Sequence, residues 1–440
     1  MASMENKAEK KTFLAGIRSS FAVNAASMGI LYLSQFALAR MMKVDQYGVF
    51  IYCMSWLNLL LLIGNIGLDA AVLRYIPLYA SRGEWGYCRG IIRRSYQISF
   101  PVGVMLFLAA AVIVFAGRRH LTEENLTGAL LIGLAALPLW TAIKLTQGIL
   151  QALKRPGFSQ FLDGVLSPTL LLAMLGAAVA LNVSVSAITA MAAFAVSCLA
   201  VLLFGALWLR SRVLSPEVKA AGAEYSTREW LRFAAPMLLI AGTHVIMSNT
   251  DVIMIGMMMD TSRAGIYSAA ARLASLVAVP LVFVNMVLTP YIVEYFFNER
   301  RVELQHFISL SVRIAALFAV PFFFILMIYG EPVLGLFGEG FKSGHQSLLI
   351  LIVGQLVNAL SGSVGYIMVM TGRQKQAGIV FAASAALNIV MNLILIPFFG
   401  IAGAAAATAV SIILWNVALV VYIRNRLYLN STIFSGMKSV

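Results

Sequence analysis

Long, uninterrupted runs of apolar residues recur along the whole chain, and they limit the folds it can adopt more than any other feature. A run of about 20 apolar residues is the length of a helix that crosses the hydrocarbon core of a bilayer. The mean hydropathy is +0.88 and only 11% of residues are charged, where a soluble domain carries about 25%. About twelve such runs occur, near residues 17–39, 47–69, 96–116, 127–150, 158–181, 186–209, 234–258, 265–290, 307–329, 346–370, 377–398 and 402–423. We therefore predict an all-α polytopic membrane protein.

The Lys and Arg residues are distributed unevenly between the loops that join these runs. If the N-terminus lies inside the cell, most of the 32 Lys and Arg residues fall in cytoplasmic loops. This bias sets the orientation of multi-pass proteins, so we predict that both termini are cytoplasmic. The basic loops would then face anionic lipid headgroups, which we predict as partners. The net charge of +14 therefore does not require a nucleic acid partner.

Short sequence elements from the first half of the chain return in the second half, in the same order. DQYGVFIY, which starts at Asp45, resembles SRAGIYSA, which starts at Ser262. Downstream of each, YIPLY at 75–79 resembles YIVEY at 291–295. The two pairs are separated by nearly the same number of residues, which indicates an internal repeat.

A third pair, QALKRPGF and TGRQKQAGI, aligns Lys154 with Lys375. We predict two six-helix bundles, residues 1–210 and 234–440, joined by a charged cytoplasmic linker over 211–233. Because six is an even number, both copies have the same orientation, and the repeat is a parallel one.

Polar side chains inside the apolar runs are the candidates for a transport pathway, because lipid does not solvate them. Stripes of Ser, Thr, Asn and Gln at helical spacing favour a polar cavity, although single residues of this kind also join helices to each other. The candidates for substrate binding in such a cavity are Lys144, Arg272, Arg18, Asn24, Asn65 and Gln147. The candidates for ion coupling or an ion pair are Asp251 and Asp69.

The intramembrane charges differ in how deeply they are placed. Asp251 and Arg272 each lie roughly 10 Å from the outer ends of their helices at 1.5 Å per residue, so they could pair with each other. That pair is either structural or one that a substrate anion or a proton breaks. Lys144 lies far from the outer end of its helix, among apolar neighbours. Arg18 is equally consistent with snorkelling to the interface, and Asp69 with a headgroup contact.

The sequence offers no cofactor or metal chemistry. Cys53, Cys88 and Cys198 have no paired spacing, which argues against disulfides and metal sites. The segment nearest to a phosphate-binding loop, GLFGEGFKS from Gly335, departs from the required pattern. We therefore predict that the protein is not an enzyme and has no ATPase of its own, and that a gradient of H⁺ or Na⁺ could drive it.

Three segments carry a resemblance to a known family: LARMMKVDQYGVF, IGLDAAVLRYIPLYASRGEW and TDVIMIGMMMDTSRAGIYSAAARLA. They resemble the polysaccharide or O-antigen flippases, the oligosaccharide-lipid branch of the multidrug/oligosaccharidyl-lipid/polysaccharide exporter superfamily. The resemblance implies two six-helix bundles around a V-shaped central cavity that opens alternately to each side. It also implies Asp and Arg motif residues at Asp251 and Arg272, whereas Lys144 matches no family motif.

The same resemblance implies a cargo and partners. The cargo is an undecaprenyl-diphosphate-linked oligosaccharide, the repeat unit of an O-antigen (lipopolysaccharide) or exopolysaccharide. It moves from the inner to the outer leaflet of the bacterial plasma (inner) membrane. A polysaccharide polymerase and a chain-length regulator are possible partners.

Two other functions stay open. A drug or cation antiporter of the same superfamily would need an acidic cavity, and the deep charges here are as much cationic as acidic. A membrane-embedded polysaccharide polymerase or glycosyltransferase would need a large outer loop with catalytic side chains. The longest outer loop here, near 330–345, is short, which disfavours that class.

Overall fold

The computed structural model describes residues 26–117, 123 and 125–433, and within these ranges the chain is mostly helical, without a strand. The first unit contains α1 (26–41), α2 (Val44–Asn65), α3 (Leu68–Arg82), α4 (Trp85–Gly117), α5 (Leu126–Ala152), α6 (Pro156–Phe161), α7 (Ser167–Ala180), α8 (Ala187–Trp208) and α9 (Pro216–Ala220). The rest consists of α10 (Thr227–Met258), α11 (Thr261–Ser275), α12 (Val279–Phe297), α13 (Arg301–Gly335), α14 (His345–Ser361), α15 (Val364–Met370) and α16 (Gln374–Leu427).

Nine spans within the described residues are long and apolar enough to cross a membrane. The difference from the twelve predicted spans arises at three places in the chain. The predicted spans 377–398 and 402–423 form one run, α16, which is broken at Gly400. The first predicted span begins outside the described residues, and several side chains in the earlier part of α10 also lie outside them, so that only Val245–Met258 of that helix counts as an apolar segment. The predicted all-α polytopic membrane fold is confirmed.

One predicted span ends earlier in the structure than in the sequence analysis. The run 47–69 breaks after Asn65, because Ile66 and Gly67 both adopt left-handed backbone conformations, with φ of 51° and 72°. A Cβ atom on Gly67 would lie 2.4 Å from the carbonyl oxygen of Ala234. The break is therefore fixed both by the backbone angle and by close packing against α10.

The chain divides into two compact units, Met1–Gly242 and Thr243–Val440, so that the division falls within α10. The first unit includes the predicted linker. The linker packs on α4, where the backbone N–H of Glu224 donates to the carbonyl of Gly86 over 3.0 Å. A Cβ atom on Gly90 would lie only 1.6 Å from the carbonyl oxygen of Glu224, so this approach requires a glycine.

The surfaces of the long helices are apolar where a soluble protein would be polar. On α4, Met105, Val112 and Ile113 are between 67% and 71% exposed. In the second unit, Phe398 is 78% exposed. Helices that are apolar on their outer faces belong in lipid, where every backbone polar group is satisfied within the helix.

Equivalent details of the repeat occur in both units. Tyr75 stacks on Tyr79 with ring centroids 5.7 Å apart, and Tyr291 stacks on Tyr295 at 6.0 Å, each pair at an interplanar angle of 25°. The helix that carries each pair then ends with a residue of positive φ, the second of them at Glu299. At both ends, two backbone N–H groups close the turn in the pattern of a Schellman motif.

The third repeat pair needs a different register. The N–H groups of Lys154 and Arg155 bond to carbonyls three and five residues back, and those of Gly372 and Arg373 do the same. Lys154 and Gly372 also share a positive φ, 61° and 78°. The structural equivalent of Lys154 is therefore Gly372 and not Lys375, because helix-ending geometry rather than charge is what the repeat preserves.

Candidate functional site

A buried carboxylate in the second unit gathers side chains from three helices. Asp251 on α10 is 4% exposed. The hydroxyl of Tyr267, on α11, donates to its Oδ2 atom over 2.6 Å. The amide of Asn392, on α16, donates to its Oδ1 atom over 2.6 Å, and the hydroxyl of Thr408 donates to Oδ2. The carboxylate thus accepts three hydrogen bonds, all from neutral donors.

The break in α16 makes this arrangement possible. Gly400 has φ 59° and ψ −139°, a conformation that is essentially restricted to glycine. The chain folds back so closely that a Cβ atom on Gly403 would lie 2.4 Å from the carbonyl oxygen of Leu395. Asn388, before the break, therefore donates from its amide to the hydroxyl of Thr408, after it, over 3.1 Å.

The resulting site is rich in oxygen atoms; we call Asp251, Tyr267, Asn388, Asn392 and Thr408 the Asp251 cluster. The amide of Asn392 also donates to the Oδ1 atom of Asn388 over 3.1 Å. The Oδ1 atom of Asn392 is itself buried and has no hydrogen-bond partner among the described residues. Hydroxyl groups can reverse from donor to acceptor, and carboxylate and amide oxygens are the ligands that hard cations prefer. The cluster can thus accept either a proton or a small metal cation.

Arg272 does not pair with Asp251, contrary to the possibility raised by the sequence. Within the described residues no salt bridge involves either side chain. Tyr267 is the residue of α11 that faces the carboxylate, and Arg272 follows it by more than one turn, on another side of the helix. Arg272 is half-buried, and its Nε atom is buried and has no hydrogen-bond partner in the described parts of the chain.

A second polar group lies in the first unit around Lys144. Its Nζ atom lies 2.5 Å from Oδ2 of Asp163, and the two side chains are 28% and 40% exposed. Asp163 belongs to a wide π-helical turn over Leu162–Leu166, between α6 and α7. Such turns are rare and occur frequently at functional sites. Gln147, one turn after Lys144 on α5, is buried, and its side chain lies close enough to Asp163 to act on that carboxylate. Among the described residues its Nε2 atom has no hydrogen-bond partner with full geometry.

The remaining candidates are dispersed. Asn65 is buried at the end of α2, and its Oδ1 atom has no hydrogen-bond partner among the described residues. Asp69 is exposed in the first turn of α3, where a helix N-terminus favours negative charge. Arg18 and Asn24 lie outside the described residues.

The neutral members of the Asp251 cluster were not among the site residues predicted from the sequence. Asn388 and Asn392 lie one turn apart, and that spacing was a usable signal. Tyr267 and Thr408 gave no such signal, because Tyr and Thr are common in membrane helices and their role depends on the fold of α16. Asp163 was equally ambiguous until its distance to Lys144 was known.

Comparison with known proteins agrees with this architecture. A family model described as "Polysaccharide biosynthesis protein" matches residues 13–296, more than half of the chain. A second model, described as MatE, matches residues 236–394. The inward-facing structure of a multidrug resistance MATE family transporter of the MOP superfamily has a TM-score of 0.78 at 15% identity, and the match covers 91% of this chain and 94% of that one.

Two relatives come from Haloferax volcanii. Agl15, described as a probable low-salt glycan biosynthesis flippase, is 23% identical over 393 residues, which is 89% of this chain and 79% of the relative. AglR, described as a probable flippase, is 25% identical over 232 residues, 50% of this chain and 45% of the relative. The chain therefore belongs to the polysaccharide biosynthesis protein family, within the superfamily of flippases and multidrug exporters, and is a multi-pass membrane transporter rather than an enzyme.

Proposed function

We propose that the protein translocates an undecaprenyl-diphosphate-linked oligosaccharide from the inner to the outer leaflet of the plasma membrane by alternating access. Support comes from membership of the family and from two relatives described as probable flippases, one of them in glycan biosynthesis. A diphosphate and a glycan cannot enter hydrocarbon without groups that replace their hydration. A protein pathway is therefore required, and the predicted V-shaped cavity is our proposal for it.

We further propose that the Asp251 cluster binds the cation that drives transport. The observation that carries this proposal is a buried carboxylate whose partners are all neutral donors. A charge of this kind is unfavourable in a bilayer unless something balances it, and among the described residues no basic side chain does so. A proton or Na⁺ from solution would supply the missing positive charge.

Lys144, with its partner Asp163, is our proposed contact for the diphosphate, because ammonium groups bind phosphate oxygens strongly. Within the described part of the chain, Gln147 and Asn65 carry buried amide atoms without hydrogen-bond partners and could bind polar atoms of the same cargo. Arg272, whose Nε atom also has no partner among those residues, is proposed as a second cationic contact. Asp69, being exposed, is better explained by its place at a helix N-terminus than by ion coupling.

The test compares Asp251→Asn with Asp260→Asn in vesicles that contain the purified protein and the lipid-linked glycan. Both variants remove one carboxylate, but Asp260 is a helix cap, a role that Asn also fills. We expect Asp251→Asn to abolish the response of transport to an imposed H⁺ or Na⁺ gradient, and Asp260→Asn to keep it. The ion whose gradient drives the unaltered protein identifies the coupling cation.

Two results would contradict the proposal in different ways. If Asp251→Asn still responds to the gradient, the cluster is not the coupling site, although the flippase function stands. If a deletion strain shows no lipid-linked glycan trapped on the inner leaflet, the cargo is wrong.

A second function, a drug or cation antiporter, is favoured by the MatE match over 236–394. It predicts that the vesicles extrude organic cations against a gradient and leave the lipid-linked glycan in place. The same preparation therefore separates the two functions.

A further inference from the structure

A cavity of about 460 Å³ lies in the first unit, where α4, α8 and the linker meet. Its walls include the apolar side chains of Ile92, Leu202 and Ala206. Its size falls within the range of about 300–1,000 Å³ that is usual for small-molecule sites. None of the residues proposed above for transport lines it.

Three cations line the same cavity: Arg89, Arg210 and Lys219. No carboxylate among the described residues lies within 4.0 Å of them. A cavity with apolar walls and an unneutralised cationic edge is complementary to a ligand that has an apolar chain and an anionic head.

The cationic edge is held in place by the linker. The Nη1 atom of Arg89 donates to the carbonyls of Lys219 and Ala221, over 2.7 Å in each case. Val218, beside Lys219, is buried. Lys219 therefore does not move freely on a loop, because its backbone is fixed on both sides.

The residues beside the cavity indicate that it opens near the level where the membrane meets water. Leu203 and Leu207 of α8 are 55% and 66% exposed, as expected for side chains that face lipid. Trp208, the residue after Leu207, stacks on Phe158 with centroids 4.6 Å apart, and aromatic side chains are enriched at membrane interfaces. Arg210 follows two residues later, where we expect the headgroups to lie.

We propose that this cavity binds one anionic phospholipid of the leaflet on the linker side, which the distribution of basic residues predicts to be the cytoplasmic one. The phosphate lies between Arg210 and Lys219, and the acyl chains follow the apolar wall of α8. Bound there, the lipid joins the linker to the bundle. The inference does not depend on the proposed transport function, since it involves other residues and an ordinary bilayer lipid.

The test measures binding of fluorescent phosphatidylglycerol to the full-length protein in neutral detergent. The variant Arg210→Gln/Lys219→Gln removes the two charges at the cavity. The control, Arg212→Gln/Arg228→Gln, removes two exposed charges of the same linker region that do not line it. We expect binding to weaken roughly thirtyfold in the first variant, because each cation near a membrane surface contributes a factor of about five, and to be unchanged in the control.

A second variant, Ala206→Trp, fills the apolar wall without changing any charge. We expect it to weaken binding as well, while the elution volume and melting temperature of the protein stay unchanged. Equal weakening in the cavity variant and the control would mean diffuse surface attraction and would overturn the proposal. So would full binding by Ala206→Trp, or a preference of the cavity for a polyprenyl diphosphate over phosphatidylglycerol.

Discussion

Asp251 differs from the ion-paired acidic side chains in what surrounds it. Asp163, Asp260, Glu303 and Glu339 each pair with a basic side chain. Asp251 instead accepts from two hydroxyls and one amide. Hydrogen bonds to a charged group are worth about 1.5–3 kcal/mol each, which helps to hold the carboxylate in place but leaves its charge unbalanced. That difference is why we assign it a mobile cation.

Gly90 supports a prediction about a single residue. Its replacement by Ala would place a methyl group 1.6 Å from the backbone of Glu224, so the linker must move away from α4. We expect Gly90→Ala to lower the melting temperature, by the equivalent of about 1–3 kcal/mol, and to expose the linker to protease.

The matched control is Gly176→Ala on α7. Nothing lies within 4 Å of its added methyl group, and Ala is favoured over Gly in a helix by about 1 kcal/mol. We expect its melting temperature to be equal or higher. Equal destabilisation by both substitutions would show that the linker contact does not matter.

The sequence was informative about single residues where a charge interrupts an apolar run. Asp251, Lys144 and Arg272 were found in that way. Their partners were not, because hydrogen-bond and ion-pair geometry depends on which helix faces are brought together. Asp251 and Arg272, which could have paired from their similar depth, form no ion pair with each other in the structure, since similar depth in the membrane does not fix the side of the helix.

The turn around Asp163 supports a prediction at the scale of a structural element. If the diphosphate and Asp163 compete for Lys144, removal of the positive charge of Lys144 should lower the affinity for the diphosphate. Removal of the negative charge of Asp163 should raise it. We expect Lys144→Ala to weaken binding of a polyprenyl diphosphate about tenfold, and Asp163→Asn to strengthen it about tenfold, each the equivalent of about 1.4 kcal/mol. Equilibrium titration of the purified protein measures both.

Lys154→Ala is the control for this pair. It removes a Lys at the end of the same helix, in the turn that follows α5. We expect no change in affinity. If Lys144→Ala and Asp163→Asn shift the affinity in the same direction, the ion pair is structural and Lys144 does not contact the cargo.

Helix existence was easier to predict from the sequence than helix ends. The apolar runs identified most spans because lipid imposes a minimum length. The ends depended on backbone angles, such as those of Ile66 and Gly67 after α2 and of Gly400 within α16. The alignment of Lys154 with Lys375 also differs from the structure. It was based on charged residues that the two segments share, whereas the feature that both units preserve is the turn that ends the helix.

At the scale of the whole molecule, the distribution of Lys and Arg predicts which loops face the cytoplasm, and labelling can test it. The three native cysteines are buried, so an introduced cysteine reports on its own loop. Lys342 lies in a loop that the orientation predicted from the sequence places outside the cell, so we expect Lys342→Cys to react with a membrane-impermeant maleimide in intact cells. Lys154→Cys should react only after the cells are opened. The reverse result would invert the orientation and the predicted direction of transport.

The break at Gly400 has a consequence for how the transporter works. Asn388 and Asn392 precede the break and Thr408 follows it, and both sides bond to one carboxylate or to each other. If the Asp251 cluster binds a cation as we propose, the angle of this hairpin and the affinity for the cation depend on each other. Separation of the two arms of α16 would then weaken cation binding, and a bound cation would favour the arrangement in which both arms contact Asp251.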